Sequence, residues 1–138
     1  MADLYGKGAQ GKATRLHAEI VRARAGGCQA RTAHKAGHIV WHEYCAGRLE
    51  CSHIITRRRL NTRTALDNAL NLCSGAHRFV TAFPLEHGHL VAVIYGPDHR
   101  TDLYRRAMGI TEPGKWTETR WQEEADRLEQ LAKKAGIR

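Results

Sequence analysis

The segment from Leu49 to His77 reads LECSHIITRRRLNTRTALDNALNLCSGAH. His53 closes a short apolar run, Asn68 lies fifteen residues on, and His77 follows nine residues later with Cys73 in between. Arg48 to Ile55 predicts a strand that delivers His53, with Ala46-Gly47 as the turn from a preceding strand. Residues 56–67 read as a loop, and Ala69 to Thr81 as a helix that carries His77.

The joint spacing carries more than any of its parts. A lone histidine on a strand is usually a packed polar residue, and nine histidines make some chance spacing inevitable. Asn68 alone could be a helix cap. Taken with Leu72-Cys73, Ala76-His77, Asp67 and the arginines Arg57 and Arg63, the pattern resembles the HNH endonucleases, most closely those of phage type. The resemblance runs from Cys28 to Pro84. It implies a ββα-metal core and hydrolysis of DNA phosphodiester bonds with a divalent cation such as Mg²⁺ or Mn²⁺. An imidazole suits the base, because its unperturbed pKa near 6.5 leaves much of it neutral at physiological pH. In that reading His53 is the general base, His77 holds the metal, and Arg57 clamps phosphate. Asn68 hydrogen-bonds across the loop, work that suits an amide with both donors and acceptor. Many HNH enzymes carry Asp or His directly before the base as a second ligand, whereas this chain has Ser52, a poor ligand when neutral. Phage-type HNH proteins often work beside DNA-packaging proteins, so packaging partners are implied as well.

The family commonly pairs two CxxC knuckles around a structural zinc. Here Cys28-Gln29-Ala30-Arg31 and Cys73-Ser74-Gly75-Ala76 keep only the first cysteine of each. Cys28, Cys45 and Cys73 are the expected thiolate ligands, with His34, His38 and His42 as candidates for a fourth. Cys51 is an alternative, although it shares its side of the strand with His53. Nothing at the amino terminus reads as a signal peptide, so a reducing, cytoplasmic compartment is expected in a bacterial or phage-infected cell, and zinc is favoured over disulfides.

The net charge of +8 is unevenly spread. Residues 1–64 hold 12 Lys and Arg against 4 Asp and Glu, while residues 65–138 hold ten of each. A positive field around His53 raises the local concentration of a polyanion. Arg57, Arg58, Arg59 and Arg63 are the expected contacts to the phosphate backbone. No apolar run is long enough to span a bilayer, which argues against a membrane partner.

These readings give an α+β domain: a zinc-stabilised ββα-metal HNH core with an N-terminal helix and a C-terminal helical extension. Residues 1–12, with Gly6, Gly8 and Gly11, read as a flexible basic arm. Residues 13–83 form the core with its leading helix, whose Leu16, Ile20 and Ala23 share a face and which Gly26-Gly27 ends. Residues 29–44 show little pattern. Residues 84–138 form the extension. Leu85 to Tyr95 could pass for a buried strand, but Pro84 ahead and Gly96 behind suit a helix equally well, and the resemblance tips the reading to helix. A short helix over Asp98–Met108 and a long one with the stripe Trp121, Ala125, Leu128, Leu131, Ala132 and Ala135 follow. Trp116 and Trp121 read as core anchors, and His87 and His89 as surface histidines near a helix start. The function set against the nuclease is a zinc-stabilised DNA-binding or packaging-accessory module, with catalysis weakened by Ser52.

Overall fold

The computed structural model describes residues 5–110 and 114–137. The chain folds as a mixed α+β unit: helix α1 (Gly8–Arg22), helix α2 (Gln29–Lys35), strand β1 (Leu49–His53), helix α3 (Leu60–Arg63), strand β2 (Ala69–Cys73), and helices α4 (Ser74–Ala82), α5 (Pro84–Tyr95), α6 (His99–Ala107) and α7 (Glu118–Lys134). A 3₁₀ turn over Leu66–Asn68 leads into β2.

β1 and β2 form one antiparallel pair, with Leu49 opposite Cys73, Cys51 opposite Asn71 and His53 opposite Ala69. This corrects two expectations. Ala69–Cys73 is a strand rather than the start of a helix, and the helix begins only at Ser74. Ala and Leu are strong helix formers, but five residues are too few to display a period, and pairing with β1 overrides their propensity. The partner of β1 also follows it in sequence, and among the described residues none of 38–45 is a strand. That segment is a loop anchored by the buried Ile39 and Trp41.

Two clusters make the core. Around the hairpin, Leu70, Leu72 and Cys73 pack with Ala76 and Val80 of α4, Leu90 and Val91 of α5, and Ala30, Ala33, Ile39 and Trp41. Each isobutyl group taken wholly from water contributes about 1.5–3 kcal/mol. The second cluster joins Ala9, Ala13 and Leu16 of α1 to Trp121, Ala125, Leu128 and Ala132 of α7. The stripe on the last helix therefore faces α1, although Ala135 lies beyond the helix and is exposed. Trp121 is a core anchor, and the partly buried Trp116 packs against it with ring centroids 4.2 Å apart and the rings tilted by 33°.

Helix α1 begins at Gly8, so residues 8–12, read as part of a loose arm, are helical and bury Ala9 and Gly11, while residues 1–4 lie outside the described residues. A side chain on Gly11 would meet the Gly6 carbonyl oxygen at 2.1 Å. Ala23 is exposed at the end of α1 instead of sharing the Leu16 face. Leu85–Tyr95 is helical with Pro84 as its first residue, and Gly96, at φ 98°, ends it. The described part of the chain has no helix long and apolar enough to cross a membrane.

Candidate functional site

β1 ends at His53, and the chain leaves it through a fifteen-residue excursion that returns at Ala69. Asn68 closes this loop. It is fully buried; its side-chain oxygen accepts from the Ile55 N–H at 2.7 Å, and its amide donates to the carbonyls of Ile55 at 3.0 Å and Thr62 at 2.9 Å. Every hydrogen-bonding direction in which the amide is needed is occupied, so the ends of the loop cannot drift apart without orphaning a buried polar group.

The C-terminal helices grip the same loop from outside. Thr64 donates to Glu124 of α7 at 2.6 Å, Arg106 of α6 pairs with Asp67 at 2.7 Å, and Trp116 donates its indole N–H to Asn61 at 2.8 Å. Arg24 reaches the carbonyl oxygens of Ala69 and Leu66. The extension thus braces the segment between His53 and β2.

His53 Nε2 lies 2.9 Å from the Arg63 carbonyl. A carbonyl only accepts, so Nε2 carries the proton and Nδ1 keeps the free lone pair. Burial holds the His53 pKa below its ordinary value, and the cations Arg57 and Arg63 reinforce this against the opposing hydrogen bond to the Arg63 carbonyl. The imidazole is therefore neutral near pH 7.

His77 sits in the first turns of α4 and faces β1. Its Nδ1 is 2.9 Å from Glu50 Oε1, which leaves Nε2 as the basic nitrogen. His53, His77 and Glu50 line one open cavity of about 820 Å³, together with Tyr5, Arg22, Arg48 and Arg57. Ser52 is 2% exposed and is not part of this lining. Glu50 and His77, paired in this lining, offer an oxygen and a nitrogen donor, a combination that suits Mg²⁺, Mn²⁺ or Ni²⁺.

Of the arginines, Arg57 lines the cavity, and Arg63 donates Nε to the Arg57 carbonyl at 2.6 Å. Arg58 and Arg59 are exposed outside the lining. Arg22 and Arg48, which were not among the expected phosphate contacts, add two cations to the wall.

A second constellation lies at the far end of the hairpin. Cys28, Cys45 and Cys73 place their sulfurs within 4.8 Å of one another, and no fourth His, Cys, Asp or Glu donor joins them among the described residues. Cys28 precedes α2 and Cys73 caps α4, accepting from the Ala76 N–H at 3.4 Å. Gly75 makes the approach possible. Its N–H donates to the Ala46 carbonyl at 2.9 Å, and an added Cβ would strike the Tyr44 carbonyl oxygen at 1.8 Å. Burial and the two neighbouring sulfurs push the Cys45 thiol up to about 12. Burial also works against a thiolate at Cys73, but the Ala76 N–H and the neighbouring thiols outweigh it and hold its pKa below the ordinary value. All four cysteines are free thiols, and three convergent sulfurs fit Zn²⁺. His34 and His42 stack on each other at 3.8 Å rather than joining the thiols.

Cys51 takes no part in that group. Its sulfur lies 3.9 Å from His17 Nδ1, and His17, Cys51 and His53 form a second cluster with donor atoms within 4.8 Å. His17 is fully buried on α1, with Nε2 against the Ala65 carbonyl at 2.9 Å. Burial, assisted by His53, brings its pKa down to about 4. Besides Arg22 and Arg48, sequence reasoning missed His17 and Glu50. His17 stands outside the quoted segment, and no local pattern ties it to His53. Glu50, three residues before His53, had only its place on the strand to offer.

His89 is exposed, as a surface histidine should be, but His87 is half-buried, with Nε2 shielded from solvent. Comparison with known protein families, curated proteins and solved structures found no match to this chain.

Proposed function

We propose that this protein is a metal-dependent endonuclease of the HNH type that hydrolyses DNA phosphodiester bonds. The observation that carries the reading is the meeting of His53, at the end of β1, and His77, in the first turns of α4, in one cation-walled cavity, with the buried Asn68 closing the loop that follows His53. In the reaction, His53 Nδ1 takes the proton of the attacking water while Nε2 stays bonded to the Arg63 carbonyl, which fixes the ring and stabilises the imidazolium that forms. Glu50 and His77 would hold the divalent cation, Glu50 orienting the imidazole by accepting from Nδ1. When bound, that cation supplies charge neutralisation at the phosphate and the departing oxygen. Arg22, Arg48 and Arg57 hold the phosphate backbone in the cavity. The Cys28, Cys45 and Cys73 cluster would hold zinc and thereby join the 42–46 loop, α2 and the start of α4, the helix that carries His77.

One observation favours a second reading, a zinc-stabilised DNA-binding or packaging-accessory module. With Ser52 buried away from the cavity, the metal would lack the carboxylate or imidazole that usually precedes the base. One experiment separates the two: supercoiled plasmid incubated with protein and Mg²⁺, Mn²⁺ or Ni²⁺, beside the same mixtures with chelator. Metal-dependent nicking supports the nuclease; retention of uncut plasmid with every metal supports the binding module.

A further inference from the structure

We propose that His17, Cys51 and His53 form a second metal site, specific for a soft or borderline ion such as Zn²⁺, and that its occupation silences the nuclease by claiming the lone pair of the base. The silencing rests on the nuclease reading above; the site itself does not.

The geometry is close to that of a bound ion. Zinc bonds of about 2.0–2.3 Å at tetrahedral angles set neighbouring donor atoms roughly 3.3–3.8 Å apart. Cys51 Sγ and His17 Nδ1 are already 3.9 Å apart, and all three donors lie within 4.8 Å. Both rings give Nε2 to a backbone carbonyl, His17 to Ala65 and His53 to Arg63, each at 2.9 Å. This outward bond fixes each ring and leaves Nδ1 as the nitrogen available to a metal, the arrangement typical of ligating histidines. The rings stand 5.1 Å apart between centroids and tilted by 36°, so neither covers the other's face completely. Cys51 and His53 share one side of β1, and both line the large cavity, which gives an ion its path inward.

The donor chemistry sets the specificity. Two imidazoles and a thiolate suit Zn²⁺, Co²⁺ or Cu⁺, while Mg²⁺ demands oxygen donors and would be refused here. Binding of M²⁺ releases the Cys51 thiol proton to solvent, forms one metal–sulfur and two metal–nitrogen bonds, and leaves the fourth position to water. With Nδ1 of His53 bonded to the ion, that nitrogen cannot take a proton from water. Mg²⁺ at Glu50 and His77 would permit cleavage, and zinc at the neighbouring site would stop it. The three thiols at Cys28, Cys45 and Cys73 form a separate cluster, so the two ions can be counted independently.

The test compares wild-type protein with Cys51→Ala and, as an independent variant, His17→Gln. Each is saturated with Zn²⁺, desalted and analysed for bound zinc, with circular dichroism to confirm folding. Each variant should hold one zinc fewer than wild type; equal zinc content in wild type and folded Cys51→Ala overturns the site. In the second arm, plasmid cleavage in Mg²⁺ is titrated with Zn²⁺, each protein against its own zinc-free rate. Inhibition should need at least about tenfold more zinc in Cys51→Ala. Identical inhibition curves overturn the silencing. Absence of wild-type cleavage with Mg²⁺, Mn²⁺ and Ni²⁺ removes the nuclease reading and the silencing with it, while the zinc count still decides the site.

Discussion

His77 Nδ1 and Glu50 Oε1 meet at 2.9 Å across the space between the first turns of α4 and the middle of β1. The carboxylate selects the tautomer of the imidazole and turns its other nitrogen toward the cavity. Replacing Glu50 with Gln keeps the size of the side chain but removes its charge. The metal concentration for half-maximal cleavage should rise about 10- to 100-fold, with a smaller change in the rate at saturation. Metal-dependence curves for wild type and Glu50→Gln check this, and superimposable curves would mean that Glu50 does not act on the ion.

His53→Ala should reduce cleavage by about 10²- to 10⁴-fold while leaving folding and DNA affinity near wild type, because a base acts in the chemical step. The pH dependence follows from the direction of the His53 shift. Burial lowers its pKa below 6.5, so the neutral, base-competent form persists further into acid. At saturating Mg²⁺ and in the absence of zinc, the rate at pH 6.5 should therefore exceed half of its plateau. A midpoint at or above 6.5 contradicts the assignment of His53 as base.

The Asn68 side chain makes three hydrogen bonds and has no exposure. Asn68→Ala takes their side-chain partner from the Ile55 N–H and carbonyl and leaves the Thr62 carbonyl with only the Ala65 N–H at 3.2 Å, which should cost on the order of 3 kcal/mol. Asn68→Asp should be worse, since a buried carboxylate would face two carbonyl oxygens. Urea unfolding of the three proteins gives the order directly, and an aspartate variant as stable as wild type would show that this packing is looser than the geometry implies.

Substituting Cys28, Cys45 and Cys73 with Ser should remove one tightly held zinc. Binding free energy of a structural zinc is also folding free energy. A loss of about 3 kcal/mol would lower the Tm by on the order of 10 °C in a chain of this size. Calorimetry of the triple variant, beside elemental analysis, decides the matter; an unchanged Tm would relieve the cluster of any structural part.

The arginines should separate by position. Arg57 borders the cavity, whereas Arg58 and Arg59 are exposed outside it and Arg63 is tethered to the Arg57 carbonyl. In a His53→Ala background, each lost phosphate contact should flatten the slope of log K against log salt by roughly 0.9 on duplex DNA. Arg57→Ala should show this flattening, and binding to two unrelated duplexes should be nearly equal. Slopes that do not move in any of the four arginine variants would make them solvated bystanders.

The sequence by itself determined the elements whose signals are local. Gly109 at φ 77° follows α6, and the stripe from Trp121 to Ala132 marks the buried face of α7, whereas Pro84 and Gly96 bracketed α5 without deciding between helix and buried strand. It also named the three cysteines that converge, and it put Cys51 on the side of His53. Only tertiary structure decided the identity of Ala69–Cys73, because a fully buried five-residue run has neither the length for a helical period nor the alternation of a half-exposed strand. The same holds for the surroundings of the site. His17 reaches Cys51 and His53 because α1 is pressed onto the hairpin, Glu50 reaches His77 because α4 folds back over β1, and the loop after His53 is gripped by α6 and α7. Such contacts join residues remote in the chain. Their free energy comes from burial and from satisfying buried polar groups, neither of which leaves a periodic trace along a single sequence.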